Sequence, residues 1–289
     1  MGSLPGPEWG MFSRKIRRSA ALLAAAAAYC IAVQPASAEG AGDLLVAPTR
    51  LELNGFRGTE VVLNNIGSEP ATYRVSLELR RMTPDGDLVE VDPANANATE
   101  QAALDMVAYA PRKVTLQPNQ PQSIRVGVRP PPNLPDGEYR VHMLFRAIPD
   151  AKPVTAAQTT VAGIAIDLRP IYGVTIPVIV RAGQLSAQAG ISDAKLATVN
   201  GRQGVSFTLT RSGGRSLYGD VRLVRPGLRD PLVLGRGVAI YAEIDHRNVS
   251  LPAPEGFAGS LAGPATLQFV ERRDDGAGQV LAAAEVVLR

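Results

Sequence analysis

The 289-residue chain offers little that could do covalent chemistry. Its two histidines, His142 and His246, lie far apart, and neither has a second His or Cys nearby, so no zinc site follows from spacing. His142 falls on the polar positions of an alternating run, Tyr139 to Phe145, and reads as a solvated strand residue. His246, in Asp245-His246-Arg247, reads as a loop residue. The single cysteine, Cys30, lies in an apolar N-terminal run behind Tyr29, where a lipid-bearing cysteine would need a small residue. The sequence has no G-x-S-x-G, no P-loop and no G-x-G-x-x-G after a strand. Asp274-Asp275-Gly276 matches a fragment of a calcium loop whose other ligands are missing, and reads as a hairpin turn. No enzyme activity, metal, cofactor or small-molecule substrate is expected. The function must then lie in surfaces, and so in the strands that build them.

The stretch with most to say is Ile164 to Val180. Ile164, Ile166, Leu168, Pro170, Tyr172, Val174, Ile176, Val178 and Val180 alternate with Asp167, Arg169, Gly173, Thr175 and Pro177. Period two over this length predicts a strand with one apolar face. Pro170 and Pro177 exclude a helix, and Asp167 with Arg169 exclude a membrane span. At roughly 3.3 Å per residue the run would reach about 55 Å, against about 17–20 Å for an ordinary strand. One small sandwich cannot cover such a face. Either the strand passes between two domains, or part of it waits for a partner.

Residues 1–38 read as a secretory signal. Arg14, Lys15, Arg17 and Arg18 precede an apolar run from Ala20 to Val33, and Ala36-Ser37-Ala38 forms a cleavage site. The whole chain has 30 Lys and Arg against 27 Asp and Glu. Four of those bases and one acid fall in the signal, leaving 26 against 26, so no basic surface argues for nucleic acid. The mature chain has no cysteine and must rest on its core rather than on disulfides. A soluble, periplasmic protein is expected. Aromatic residues are 5% of the chain, too few to suggest a sugar-binding platform.

From Asp43 onward, short alternating runs are broken by turns. Tyr73, Val75, Leu77 and Leu79 alternate with charged and polar residues, and Thr83-Pro84-Asp85-Gly86 turns the chain. Asp92 to Glu100 reads as a polar loop, after which Met106, Ala108, Val114 and Leu116 resume a strand pattern. Ile124, Val126 and Val128 form another strand, then Tyr139, Val141, Met143 and Phe145. About seven strands at roughly 8–12 residue spacing predict an immunoglobulin-like sandwich. After Arg181-Ala182-Gly183 the composition shifts toward glycine and a second strand series begins, read as a smaller β-sandwich. The fold class is therefore all-β, with a signal at 1–38 and domains at 39–182 and 183–289.

Several of these residues together resemble the periplasmic chaperones of pilus and fimbria assembly, the PapD-like family. The resemblance covers about residues 43–181 and thins beyond. It rests on Pro48-Thr49-Arg50, Val62-Leu63-Asn64-Asn65, Pro111-Arg112, Leu116-Gln117-Pro118 and Gln122-Ser123-Ile124-Arg125-Val126, in that order. Leu134-Pro135-Asp136-Gly137-Glu138-Tyr139-Arg140 and Phe145-Arg146-Ala147-Ile148-Pro149 complete it. It implies two immunoglobulin-like β-sandwich domains in a boomerang, with a cleft between them. It also implies a donor strand, lent to an incomplete pilus subunit that is later passed to an outer-membrane usher. A structural or adhesive sandwich protein of another exported assembly is the alternative.

The resemblance assigns residues unevenly. Arg50 matches the arginine that holds the subunit's terminal carboxylate, a task suited to a planar guanidinium. The family's partner lysine is absent. Pro177 stands in its place, and Arg169 is the basic residue within the strand that remains to substitute. The donor strand would be Ile164, Ile166, Leu168, Tyr172 and Val174. Glu138 and Arg181 match two members of an interdomain salt bridge, with Asp275 as the third.

Overall fold

Where apolar and polar residues alternate, the chain lays down strands whose two faces meet different surroundings. The computed structural model describes residues 2, 43–54, 57–149, 160–161, 164–165, 171–272 and 278–289. Residues Ala41–Arg289 form one compact unit. The first part contains β1 (Leu44–Ala47), β2 (Leu51–Asn54), β3 (Thr59–Asn65), β4 (Ala71–Met82) and β5 (Leu88–Val91). A 3₁₀ turn (Pro93–Asn95) and helix α1 (Ala98–Met106) follow, then β6 (Val107–Ala110), β7 (Lys113–Leu116), β8 (Pro121–Val128) and β9 (Gly137–Ile148). Two short segments, β10 (Thr160–Val161) and β11 (Ile164–Ala165), pair with each other, and β12 (Gly173–Ala182) closes the series. One sheet runs β1-β3-β8-β6; the other runs β2-β12-β9-β4-β5, with β7 also on β4. Between them pack Val61, Leu63, Ile124 and Val126 from the first sheet and Tyr73, Val75, Val141, Met143, Phe145, Val178 and Val180 from the second.

A second sandwich follows from β13 (Ala187–Val199), β14 (Arg202–Gly213), β15 (Leu217–Val224) and β16 (Val233–Ile240). The rest of it is β17 (His246–Pro252), β18 (Gly263–Glu271) and β19 (Val280–Leu288). Its sheets run β13-β14-β17 and β16-β15-β18-β19, around Val205, Phe207, Leu209, Val221, Leu223, Leu267 and Phe269. Asn200 and Gly201, both at positive φ, make the two-residue turn that joins β13 to β14, which suits the twist of a hairpin. A third, smaller cluster bridges the two sandwiches: Met82 and Ile179 from the first, Ala239 and Tyr241 from the second.

Several expectations change. The stretch Ile164–Val180 is not one strand in the described residues. Ile164–Ala165 pairs with β10, Ile171 and Tyr172 carry no strand, and β12 starts only at Gly173. Asp92 to Glu100 is not a plain loop, and Met106 ends a helix rather than starting a strand. The helix starts there because the Asn97 side chain accepts from the Glu100 backbone N–H (2.9 Å), while the Glu100 carboxylate accepts from the Asn97 N–H (2.8 Å). Ala103 and Met106 then bury its inner face. His246 is not in a loop but opens β17, exposed, with Nδ1 2.6 Å from Asp245 Oδ1. Apart from Gly2, the signal at 1–38 with its cleavage site, and the turn at Asp274-Asp275-Gly276, lie outside the described residues.

Candidate functional site

Among the described residues, strand β12 has a neighbour on one side along its whole length and on the other along only part of it. Antiparallel to β9, it pairs from Gly173 opposite Arg146 to Ala182 opposite Gly137. Parallel to β2, it pairs only from Val178 opposite Leu51 to Arg181 opposite Asn54. Among the described residues, Gly173 to Pro177 have no strand on that second side. Val174, Ile176, Val178 and Val180 point into the first core, because period two places them on one face. Ile179 points the other way and is fully buried against the second sandwich. Ile171 and Tyr172, just before the strand, are about half exposed, at 49% and 51%.

Arg50 immediately precedes β2, so it stands where the filled side of β12 gives way to the open one. A cleft of about 960 Å³ opens here, lined by residues of both sandwiches, among them Arg50, Glu52, Arg181, Arg215, Tyr218 and Arg272. Arg50 is no exposed strand-end residue; its side chain is only 10% exposed. Its Nε donates to Glu52 Oε1 at 2.6 Å, its Nη2 to Ser216 Oγ at 3.4 Å, and its guanidinium lies 4.7 Å over the Tyr218 ring. Glu52 is shared, since Arg181 Nη1 donates to its other oxygen at 2.6 Å. Burial would push the Glu52 carboxyl up, but the charges of Arg50 and Arg181 outweigh it and hold the group below the usual carboxylate range. Arg181 Nε also donates to the buried Glu138 Oε2 at 3.0 Å, and that oxygen accepts the Ser216 backbone N–H at 3.0 Å. The chain Arg50–Glu52–Arg181–Glu138–Ser216 thus runs from the first sandwich to the second.

Behind it lies a second connection. Arg140 forks onto Glu243, Nη1 to Oε2 at 3.0 Å and Nη2 to Oε1 at 2.6 Å, and stacks 3.7 Å over Tyr241. Glu243 Oε1 also accepts the Met82 backbone N–H at 2.8 Å. His142, expected on a solvated face, is 1% exposed beside this group. It meets the Tyr241 ring edge-on, centroids 6.3 Å apart at 82°, and neither ring nitrogen hydrogen-bonds a described residue. Burial first, then the charges of Arg140, Arg80 and Arg50, hold its pKa down to about 3. The expectation fails because the face opposite the first core is covered by the second sandwich, which local alternation does not reveal.

The structure therefore brings Arg50, Glu138 and Arg181 into one network at the cleft. Tyr172 lies just before β12 and Val174 at its start, and for Ile164 only the backbone, paired in β11, is described. Ile166, Leu168, Arg169 and Asp275 lie outside the described residues. Sequence inspection missed Glu52, Arg140, Glu243 and Arg272. Glu52 alone carried a local signal: it sits two residues past Arg50, on the same side of an extended chain. Arg140 and Glu243 are far apart in sequence and announce nothing.

No family model matches the chain, and no curated protein does. Among solved structures it is similar to the YadV chaperone, with 16% identity over 84% of this chain and 100% of that one, at a TM-score of 0.46. The CupB2 chaperone of Pseudomonas aeruginosa gives 12% identity, 85% and 100% coverage and a TM-score of 0.45. The CsuC–CsuE chaperone–tip adhesion subunit pre-assembly complex, from the archaic chaperone-usher Csu pili of Acinetobacter baumannii, gives 11% identity, 85% and 99% coverage and a TM-score of 0.42.

Proposed function

We propose that this chain is a periplasmic chaperone that holds a pilus or fimbrial subunit by strand addition and delivers it to an outer-membrane usher. Residues 1–38 direct export and are removed, and residues 39–182 and 183–289 act as two domains. The observation that carries this is the half-filled lane beside β12: β2 occupies it next to Val178–Arg181, and no described strand occupies it next to Gly173–Pro177. An open edge of this kind is a template for another chain's strand. Arg50 stands at the closed end of the lane, so a strand whose last residue carries the carboxylate must run toward Arg50. That direction is parallel to β12. The client's strand is thereby collinear with β2, and the Ile164, Ile166, Leu168 and Tyr172 side chains are the donor set offered to its groove, with Val174, half-buried against the first core, at its border. Each such side chain contributes roughly 1.5–3 kcal/mol if fully covered, before the ordering costs of association. Glu138 and Arg181, with an acid such as Asp275, hold the two domains at the angle that keeps the lane open.

The test is co-expression with the subunit and recovery of the periplasmic complex. Ile166→Asp is expected to abolish recovery of the client while the purified chaperone keeps its melting temperature. Asp167→Ala, one step along on the opposite face, is expected to do far less. Equal loss from both substitutions, or unfolding of free Ile166→Asp, would remove the donor-strand function.

A further inference from the structure

The outer face of the first sandwich carries three bases in one row, well away from the cleft. Lys113 in β7 lies opposite Arg74 in β4, and Arg74 lies opposite Arg146 in β9. Val114, Tyr73, Val75, Phe145 and Ala147, one step along each strand, are buried in the core, so the three bases point outward, and all three are exposed. Residues directly opposite on neighbouring strands have Cβ atoms about 4.5–5.5 Å apart, and like charges there repel. Among the described residues no carboxylate forms an ion pair with any of the three. Glu78, an acid on the same face, is already taken, accepting from Arg80 Nε at 2.6 Å and from Thr175 Oγ1 at 3.1 Å. The row continues past Arg146 to Gly173 in β12. Beyond Gly173 lies the side of β12 that no described strand occupies. Gly173 puts no side chain between that lane and Arg146, and Leu144 Cδ1 lies 3.1 Å from where a Cβ would stand.

We propose that the Lys113–Arg74–Arg146 row selects an acidic side chain on the docked strand, at the residue that lies beside Gly173. The inference rests on the strand-docking function above and adds a preference among the strands that can enter. Neighbouring residues of a parallel pair point to the same face, so the residue beside Gly173 projects outward, as Arg146 does. Strands lie about 4.8 Å apart, which puts that residue about 10 Å from the β9 backbone. A glutamate stem laid over Gly173 and along Leu144 closes the gap from one side, and the long Arg146 side chain closes it from the other. Arg74 and Lys113 stand behind Arg146 and deepen the positive potential that the carboxylate meets. The anion also relieves the repulsion along the row, a gain that a neutral residue at the same position does not bring.

The experiment uses the full mature chain and two short peptides of alternating valine and threonine, alike except that the central threonine is glutamate in one and glutamine in the other. Wild type is expected to bind the glutamate peptide about fivefold more tightly at low ionic strength, the upper scale for an exposed ion pair. That ratio is expected to fall toward one in about 1 M salt, where the screening length is about 3 Å. Arg146→Gln is expected to bring the ratio to one at low salt while still binding the glutamine peptide, and to melt no lower than wild type, because a repulsion is removed. Arg222→Gln, at an exposed arginine of the second sandwich, is expected to keep the wild-type ratio. Equal binding of the two peptides by wild type, or an unchanged ratio in Arg146→Gln, overturns the preference and leaves the docking function standing. Equal peptide binding by a protein that instead binds vesicles of phosphatidylglycerol and phosphatidylcholine through Arg146 overturns it too, and gives the row to a membrane surface. Binding of neither peptide by wild type overturns the docking function and this inference together.

Discussion

The two halves of β12 share one apolar pattern and lead different lives. Val178 to Ala182 have β9 on one side and β2 on the other, with Ile179 pressed on the second sandwich and Val178 and Val180 in the first core. Gly173 to Pro177 have β9 alone among described strands, and Val174 is only half-buried. Alternation tells which way side chains point. It does not tell whether the backbone on each side is paired, because a ladder forms with residues far away in sequence. The same strand can thus be core at one end and open edge at the other.

The largest expected effect is at Val178, which is fully buried. Val178→Asp places an unpaired charge in the core, and several kcal/mol of destabilisation are expected, enough to remove most folded protein. Soluble yield and circular dichroism check it; a folded Val178→Asp protein would erase the distinction between the halves.

The next effect concerns the boundary, where His142 pairs across from Pro177. An unfolded histidine binds a proton below about 6.5, whereas folded His142 does so only near 3. Between those values the unfolded state carries the extra proton, so stability falls as pH drops from 6.5 toward 3 and is unaffected above 6.5. The slope is expected to be about 1.4 kcal/mol per pH unit for one proton. Urea melts at pH 4 and pH 7 should differ less in His142→Phe than in wild type, by about 3 kcal/mol from the roughly 2.5 pH units between 6.5 and 4. Equal pH dependence in the two proteins would mean that His142 is not sealed under the second sandwich.

The smallest effect lies in the open half. Val174→Ala should cost under about 1 kcal/mol, since a half-covered side chain has little transfer energy to lose and solvent fills the gap, whereas Val178→Ala should cost about 2 kcal/mol. Equal shifts in thermal melting would show that both halves are ordinary core.

Much of the fold was legible where one face met one core. Tyr73, Val75 and Leu79 in β4, and Val141, Met143 and Phe145 in β9, alternate and are buried as expected. Helix α1 reads as loop because Asn97, Thr99, Glu100 and Gln101 are polar; yet Asn97 and Glu100, three apart before Ala103 and Met106, form a capping pair visible in the sequence. His142 and Arg140 were beyond reach for another reason. Their face of β9 is covered by Tyr241 and Glu243, about a hundred residues later, and no local rule announces a second sandwich landing on the outer face of the first. Arg50 was found through resemblance, but its tether Glu52 was not, because a short-range ion pair matters only once burial makes it selective.

The parallel pairing of Leu51 with Val178 joins residues 127 positions apart. Closing such a distance is entropically demanding, and pairings of this kind are made late and slowly compared with hairpins such as β13–β14. During folding, then, the second side of β12 stays empty along its whole length until the segment at Leu51–Asn54 arrives. By this reasoning one of the protein's own strands is inserted beside β12 late in folding, over four residues, and the proposed function asks the same insertion of a client's strand.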